Sequence, residues 1–421
     1  MIAICDANYF YVACHMLVEP RLWNKPVIVW SNNRGVIVSL NPAAKKLGFR
    51  RGMVSKDIER DIKIHGVITF ESNYQFYEDI SARFLFALSE KVEKMQKNSI
   101  DEAFLSLKGF GHIGYDKYCR EIRDYVKKNV GLPTGIGVGT NKTLAKISSR
   151  FAKQYTRFEN VFVMDTEQKR IECLKRTPIK NVWGLGGRLS DTLISKDIKT
   201  AYDFVSKVSQ KQARSLYNVD LERTWCELNG EICYELETVE PDRKGISVSR
   251  TFQKEIESLD GIRQAVATYT AVCAENLRSQ RSYARSITVY LETNRFRKQF
   301  GAYNPDKSIK LPVPTDTTPM LIRYALALVD NMFVQGFKYK KAGVVINGFV
   351  KSKQTVLFDP QPLDDKFALI SPVEDFYSHG FDRKLLSQAV MGYGEGNDII
   401  ERNISDCPTT NFRQIIRIDC D

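Results

Sequence analysis

The first apolar run of the chain, Ile2-Ala3-Ile4-Cys5, ends on an acid, Asp6, and a later one, Ser99-Ile100-Asp101-Glu102-Ala103-Phe104, holds two more. Both runs read as buried strands. An ionised carboxylate in such a place is costly unless a partner compensates it. A divalent cation is an efficient partner, and three carboxylates on neighbouring strands can hold two magnesium ions. Such a pair activates a 3′-hydroxyl and neutralises a triphosphate during in-line phosphoryl transfer. The alternative is that the acids cap turns or pair with Lys or Arg. Geometry adds a condition. Adjacent strand residues point to opposite faces, so Asp101 and Glu102 share a site only at a turn or bulge.

Strands and helices interleave up to about residue 166. Strand patterns cover 26–30, 36–40, 99–107, 132–138 and 161–164, and helical spacing covers 74–94, 115–130 and 142–153. This first part is α/β or α+β. Residues 168–230 read as short helices broken by Pro178 and by the glycines at 184, 186 and 187. From 243, strands at 245–252, 284–293 and 342–349 surround a helix at 259–278, a separate and smaller α+β unit. The last seventy residues are poorly patterned. The segment Gly135-Ile136-Gly137-Val138-Gly139-Thr140-Asn141-Lys142-Thr143 imitates a P-loop, but Asn141 stands where a Walker loop needs glycine, which excludes that ATPase reading.

Charge narrows the partner. The chain of 421 residues carries 62 basic and 50 acidic residues, a net +12 that favours a polyanion. Residues 243–310 hold 13 basic and 6 acidic residues (+7), whereas 351–421 hold 8 and 12 (−4), a pattern that suits a nucleic-acid groove better than a basic tail. Nine scattered cysteines form no C-x2-C pair, and with four histidines the usual zinc spacings are missing, so reduced thiols in a cytoplasmic protein are expected. No signal peptide and no membrane-spanning run are read from the sequence. The expected location is the cytoplasm, in association with the nucleoid.

Several segments together resemble the Y-family of translesion DNA polymerases, and within it the bacterial UmuC branch. They are Asp6-Ala7-Asn8-Tyr9-Phe10-Tyr11, the stretch from Ala44 to Met53, Ser72-Asn73-Tyr74, the acidic run from Ser99 to Phe104, Gly137 to Lys146, Val182-Trp183-Gly184-Leu185-Gly186 and Leu221-Glu222-Arg223-Thr224. Their order and spacing over roughly residues 1–350 carry the resemblance. It implies an α+β multidomain right hand: palm at 1–22 and 72–166, fingers at 23–71, helical thumb at 167–240, little finger at 243–350 and a C-terminal tail at 351–421. It places Asp101 and Glu102 at a strand hairpin and makes Asp6, Asp101 and Glu102 the catalytic metal ligands, helped by the main-chain carbonyl of Ala7. Nucleotide contacts fall on Ala7, Asn8, Phe10, Tyr11, Lys45 and Lys153. Tyr11 aligns with the steric gate, whose ring leaves no room for a 2′-hydroxyl. Taken without the resemblance, Tyr11 reads as a core aromatic. Many relatives have Tyr and Arg where this chain has Pro42 and Lys45, and a lysine lacks the fork of an arginine.

The resemblance also implies DNA contacts. Gly184, Gly186 and Arg188 lie in a helix-hairpin-helix turn that offers backbone N–H groups to a phosphate. Arg250, Arg278, Arg281 and Arg285 belong to the little finger. Gln354, Leu357 and Phe358 resemble a sliding-clamp peptide. The implied function is error-prone synthesis across damaged template in the SOS response, with two Mg2+ ions, a deoxynucleoside triphosphate, primer-template DNA, a processed UmuD dimer and a RecA filament. The competing readings are a non-catalytic, clamp-recruited DNA-binding scaffold, and another two-metal enzyme on a palm-like fold.

Overall fold

The computed structural model describes residues 1–31, 35–216, 218–239, 241–294, 301–352, 372–376, 388–392, 405–409, 411 and 414. The chain divides into two compact units, Met1–Glu240 with Arg402–Asp421, and Pro241–Glu401.

The first unit begins with β1 (Ile2–Ala7) and α1 (Phe10–Val18). There follow β2 (Val27–Trp30), β3 (Ile37–Leu40), α2 (Pro42–Lys46), α3 (Ser55–Ile64) and β4 (Ile68–Glu71). Next come α4 (Tyr74–Ser89), β5 (Met95–Lys97), β6 (Glu102–Ser106), α5 (Tyr115–Asn129), β7 (Thr134–Gly139), α6 (Lys142–Gln154) and β8 (Val161–Val163). Helices α7 (Glu167–Arg176), α8 (Gly187–Ser195), α9 (Ala201–Lys207), α10 (Gln210–Leu216) and α11 (Val219–Leu228) complete it.

A five-stranded sheet in the order β5-β6-β1-β7-β8 is its centre. β1 lies in the middle, antiparallel to both β6 and β7. Alternation sorts its side chains. Ala3, Cys5, Ala103, Leu105, Ile136 and Val138 enter the main core with Phe84, Ile122 and Val126 from α4 and α5. The opposite face carries three cross-strand rows: Glu102–Asp6–Gly135, Phe104–Ile4–Gly137 and Ser106–Ile2–Gly139. The glycines make a groove for α6. A Cβ at Gly137 would come 1.9 Å from the Ser149 nitrogen, and one at Gly139 2.7 Å from the Ala145 nitrogen. The glycines of the false P-loop thus serve helix-on-strand packing.

The start of α6 is held from α11. Glu227 is fully buried and accepts hydrogen bonds from the Thr143 N–H (3.0 Å) and hydroxyl (2.6 Å). A carboxylate there also meets the positive end of the helix dipole. A smaller three-stranded sheet, β3-β2-β4, packs Ile28, Trp30, Ile37 and Phe49 into a core of its own. Part of the C-terminal segment docks on this unit. The Asn73 side-chain amide donates to the Ser405 carbonyl at 2.7 Å, the Ser405 hydroxyl donates to the Glu71 carbonyl, and Cys407 is buried in the main core.

The second unit is an antiparallel sheet, β11-β10-β12-β9. Its elements are β9 (Gly245–Ile256), α12 (Leu259–Ser279), β10 (Ala284–Thr293), β11 (Asp306–Thr315), α13 (Thr318–Asp330) and β12 (Tyr339–Asn347). Ile246, Ile287, Val289, Leu291, Val344 and Ile346 face the two helices. The other face presents Ser247, Ser286, Thr288 and Ser308, among which Thr288 and Ser308 bond at 2.7 Å. Sequence reading missed β11, which contains Pro312 and Pro314. It is an edge strand, the one place in a sheet where missing N–H donors are tolerated.

Candidate active site

The predicted strand at 99–107 is shorter, and the difference builds the site. Asn98 and Ser99 both donate their N–H to the Glu102 carbonyl (3.0 and 3.1 Å), closing a tight hairpin between β5 and β6. Asp101 therefore lies in the turn and Glu102 opens β6, so the alternation objection does not apply. The Ala7 N–H donates to the Asp101 carbonyl at 2.8 Å, which fixes that turn against β1. Asp6 stands directly across from Glu102. The three acids lie side by side at one end of the central sheet, although their oxygens do not all come within 4.8 Å of one another.

Each acid is held in place. The Ser99 hydroxyl donates to Asp101 Oδ1 at 2.5 Å, and the Asn98 amide donates to Glu102 Oε1 at 2.5 Å. Two lysines of α6, seven residues apart on one helical face, neutralise the outer acids. Lys146 Nζ lies 2.9 Å from Glu102 Oε1, and Lys153 Nζ pairs with Asp6. Lys153 crosses the space above Gly135, where a Cβ would come 2.8 Å from its Cε. Burial pushes the Asp6 carboxyl above its ordinary range; Lys153 opposes this, and Asp101 and Glu102 add to it. Oxygen donors of this kind, crowded by like charge, suit a hard divalent cation.

Beside the acids opens a cleft of about 280 Å³, lined by Phe10, Tyr11, Val38, Ser39, Arg51, Tyr74 and Asp101. Its floor follows from one strained residue. Tyr9 adopts a left-handed conformation (φ 41°) between β1 and α1, so the chain turns sharply and brings Asp6 and Tyr11 to one side. The Tyr11 ring stacks on Tyr77 at 4.4 Å and meets Tyr74 edge-on at 5.8 Å. Burial first, and Tyr74 and Asp101 after it, raise the Tyr11 hydroxyl to about 12, so it stays protonated. Phe10 is only 2% exposed and is mainly a core residue that borders the cleft. Asn8 donates its N–H to the Pro133 carbonyl at 2.7 Å. Lys45 is exposed on α2 and is not among the residues lining the cleft.

His15, one α1 turn past Tyr11, underpins this wall. Its ring stacks on Phe70 at 4.1 Å and its Nε2 lies 3.0 Å from the Tyr77 hydroxyl. Burial lowers its pKa to about 3. The unfolded chain takes up this proton near pH 6.5 and the folded chain does not, so stability present above 6.5 is lost as pH falls. From pH 6.5 to 5 the loss is about 2 kcal/mol from this group. Urea unfolding at both pH values should show it, and His15→Gln should flatten the dependence.

The predicted turn at 182–186 lies between a short 3-10 helix, Ile179–Asn181, and α8. Gly184 takes φ +85° between the buried anchors Val182 and Leu185, and Gly186 caps α8 with no side chain. A Cβ at Gly186 or Gly187 meets nothing within 4 Å, and Arg188 is exposed, so no described side chain crowds the start of α8. In the second unit Arg250, Arg281 and Arg285 are exposed. Arg278 is not: its side chain is 8% exposed, lies 2.8 Å from Asp375 and donates to Thr318 Oγ1 and the Asp316 carbonyl, both at 3.0 Å. A guanidinium so engaged holds residues 372–376 and is not available for the DNA contact expected of it. Gln354, Leu357 and Phe358 lie outside the described residues.

Sequence reading missed Lys146, Arg51, Tyr74 and Ser39. Lys146 was findable, seven residues before Lys153 on the same helix. Ser39 Oγ is buried at the cleft with no hydrogen-bond partner among the described residues, which no sequence pattern announces.

Comparison with known proteins gives the family and the fold. Residues 5–150 match the impB/mucB/samB family model, and 243–357 match its C-terminal domain. Protein UmuC of Salmonella typhimurium is 33% identical over 422 residues, 99% of this chain and all of that protein. DNA polymerase IV of Corynebacterium diphtheriae is 24% identical over 358 residues, 84% of this chain and 76% of that one. A solved Y-family DNA polymerase chimera of Dbh and Dpo4 superposes with a TM-score of 0.67 at 18% identity, over 84% of this chain and 100% of the chimera. The fold is that of the Y-family DNA polymerases. The chain belongs to the impB/mucB/samB family, the group that includes UmuC.

Proposed function

We propose that this chain is an error-prone translesion DNA polymerase that extends a primer on damaged template. The observation that carries the reading is the meeting of Asp6, Asp101 and Glu102 beside a cleft floored by Tyr11. The three carboxylates would hold two Mg2+ ions, with the Ala7 carbonyl as a further donor. When bound, the ions polarise the 3′-hydroxyl and offset charge on the triphosphate. The protein's own part is positioning. With cations bound, Asp6 and Glu102 would give up their pairs with Lys153 and Lys146, and the two lysines would be free to meet phosphate. Arg51 supplies at the cleft the guanidinium that position 45 lacks, and Ser39 offers a hydroxyl.

The five-stranded sheet with its helices is the palm, the three-stranded sheet the fingers, α7 to α11 the thumb and the second unit the little finger. Gly184, Gly186 and Arg188 grip phosphate without reading sequence, as do Arg250, Arg281 and Arg285. Gln354, Leu357 and Phe358 dock on a sliding clamp, and a processed UmuD dimer with a RecA filament activates the enzyme in the SOS response.

Extension of a labelled primer across an abasic site, with Mg2+ and with UmuD-type and RecA-type proteins supplied, tests this reading. Absence of any incorporation, even on intact template, sinks it. Tyr11 is the sugar gate, backed by Tyr77. Tyr11→Ala is expected to raise ribonucleotide incorporation about 100-fold relative to deoxynucleotide, roughly 3 kcal/mol of discrimination. Unchanged sugar selectivity removes Tyr11 from that role.

A further inference from the structure

A second cluster of ligating side chains lies away from the acids, at the end of α11. Sγ of Cys226, Sγ of Cys233 and a carboxylate oxygen of Glu231 all lie within 4.8 Å of one another. Among the described residues no other three Cys, His, Asp or Glu side chains meet this closely. Cys226 is 4% exposed, Cys233 half-buried and Glu231 exposed. The spacing Cys-x4-Glu-x-Cys matches none of the familiar zinc patterns, which is why the sequence did not announce it.

The loop that brings these groups together is fixed on its own account. Gly230 takes φ +97° just past the helix end, and the Glu231 N–H returns to the Cys226 carbonyl at 3.1 Å. The Glu231 carbonyl accepts from the Asn141 side-chain amide at 2.7 Å. Buried Glu227 receives the N–H groups of Cys233 (3.3 Å) and Tyr234 (3.2 Å). The backbone is therefore set before any metal arrives, and only side-chain rotation is needed to close the ligand set. Tetrahedral zinc, with Zn–S near 2.3 Å, needs sulfurs about 3.8 Å apart, within reach of such rotation.

We propose that Cys226, Cys233 and Glu231 bind one soft or borderline divalent cation of the zinc class, with water in the fourth position. Both thiols lose their protons on binding, so affinity rises with pH. Two thiolates select against magnesium, whose preference is for oxygen donors. The cation would lock the turn leading to Glu235, whose carbonyl accepts from Lys142 Nζ at 2.6 Å, and to Leu236, which packs on the Ile4–Phe104–Ala145 cluster behind the acidic row. It is a structural clip, separate from the acids that bind the polymerase metals.

The test uses reduced full-length protein in excess Mg2+, titrated with Co2+ as a spectroscopic probe and then with Zn2+ in competition with a chelator. The expected result is one site per chain, a thiolate-to-cobalt charge-transfer band, and a rise in unfolding temperature with Zn2+. Cys226→Ser and Cys233→Ser should each weaken binding at least about 100-fold, and Glu231→Gln about 10-fold. Circular dichroism of each variant separates loss of the site from loss of the fold. Absence of the thiolate band in folded wild-type protein overturns the proposal, as does a band that survives in a folded Cys226→Ser, Cys233→Ser double variant. A purified chain two hydrogen atoms lighter, with Cys226 and Cys233 oxidised to one disulfide that resists mild reduction, overturns it as well.

Discussion

Asp101→Asn is expected to slow primer extension by a factor on the order of 10³, about 4 kcal/mol of barrier, while primer-template affinity changes by less than about twofold. The substitution suits the question because it removes charge and little else. The carbonyl that takes the Ala7 N–H belongs to the main chain of position 101, so that bond is untouched. The amide oxygen of the new side chain still accepts from Ser99, which holds the turn. Asp6 loses one of the two acids that push its carboxyl upward, so the folded state should be no less stable. On the proposed reading DNA affinity would rest on phosphate contacts made elsewhere, so its salt dependence should keep the same slope. Single-turnover extension and fluorescence anisotropy, run side by side, check the two halves. Extension at the wild-type rate refutes the metal assignment; a parallel collapse of DNA binding shows that the variant damaged more than the site.

What could be read from the sequence depended on how local the cause was. β1 was legible because four apolar residues in a row decide it, and β10 was matched to the residue at 284–293. The acids were legible because a carboxylate in an apolar strand demands explanation. The hairpin at 98–101 was not legible from periodicity: two N–H groups converging on the Glu102 carbonyl make it, and such a bond leaves no mark on composition. The helix expected to reach 94 ends at Ser89 because 95–97 is claimed by β6 as a partner strand, a tertiary decision. Arg278 failed for a related reason. Arginine on a basic segment reads as a phosphate ligand, yet Glu374 and Asp375, nearly a hundred residues later, enclose it. Charge counts give the sum over a segment, never the partner of one side chain.

Gly137→Ala should be the most damaging single-methyl change in the first unit. In an exposed strand such a change is helpful, because alanine restricts the unfolded chain and stabilises by about 0.4–1 kcal/mol. Here the new Cβ meets backbone: 1.9 Å to the Ser149 nitrogen and 2.5 Å to the Ser148 carbonyl carbon. No rotamer relieves that, so α6 must lift from β7, and overpacking outweighs the entropic gain for a net loss on the order of 2–4 kcal/mol. Activity should fall with it, since α6 carries Lys146 and Lys153 to the acids. Gly135→Ala is the contrast. Its Cβ meets only the Lys153 side chain, at 2.8 and 3.0 Å, and a flexible side chain can move aside. That variant should remain within about 1 kcal/mol of the parent, yet lose part of its rate because Lys153 shifts off Asp6. Urea unfolding of the pair, followed by extension assays, separates packing from chemistry. Equal stabilities for the two variants would mean that α6 does not sit on the glycine groove, and the placement of both lysines would go with it.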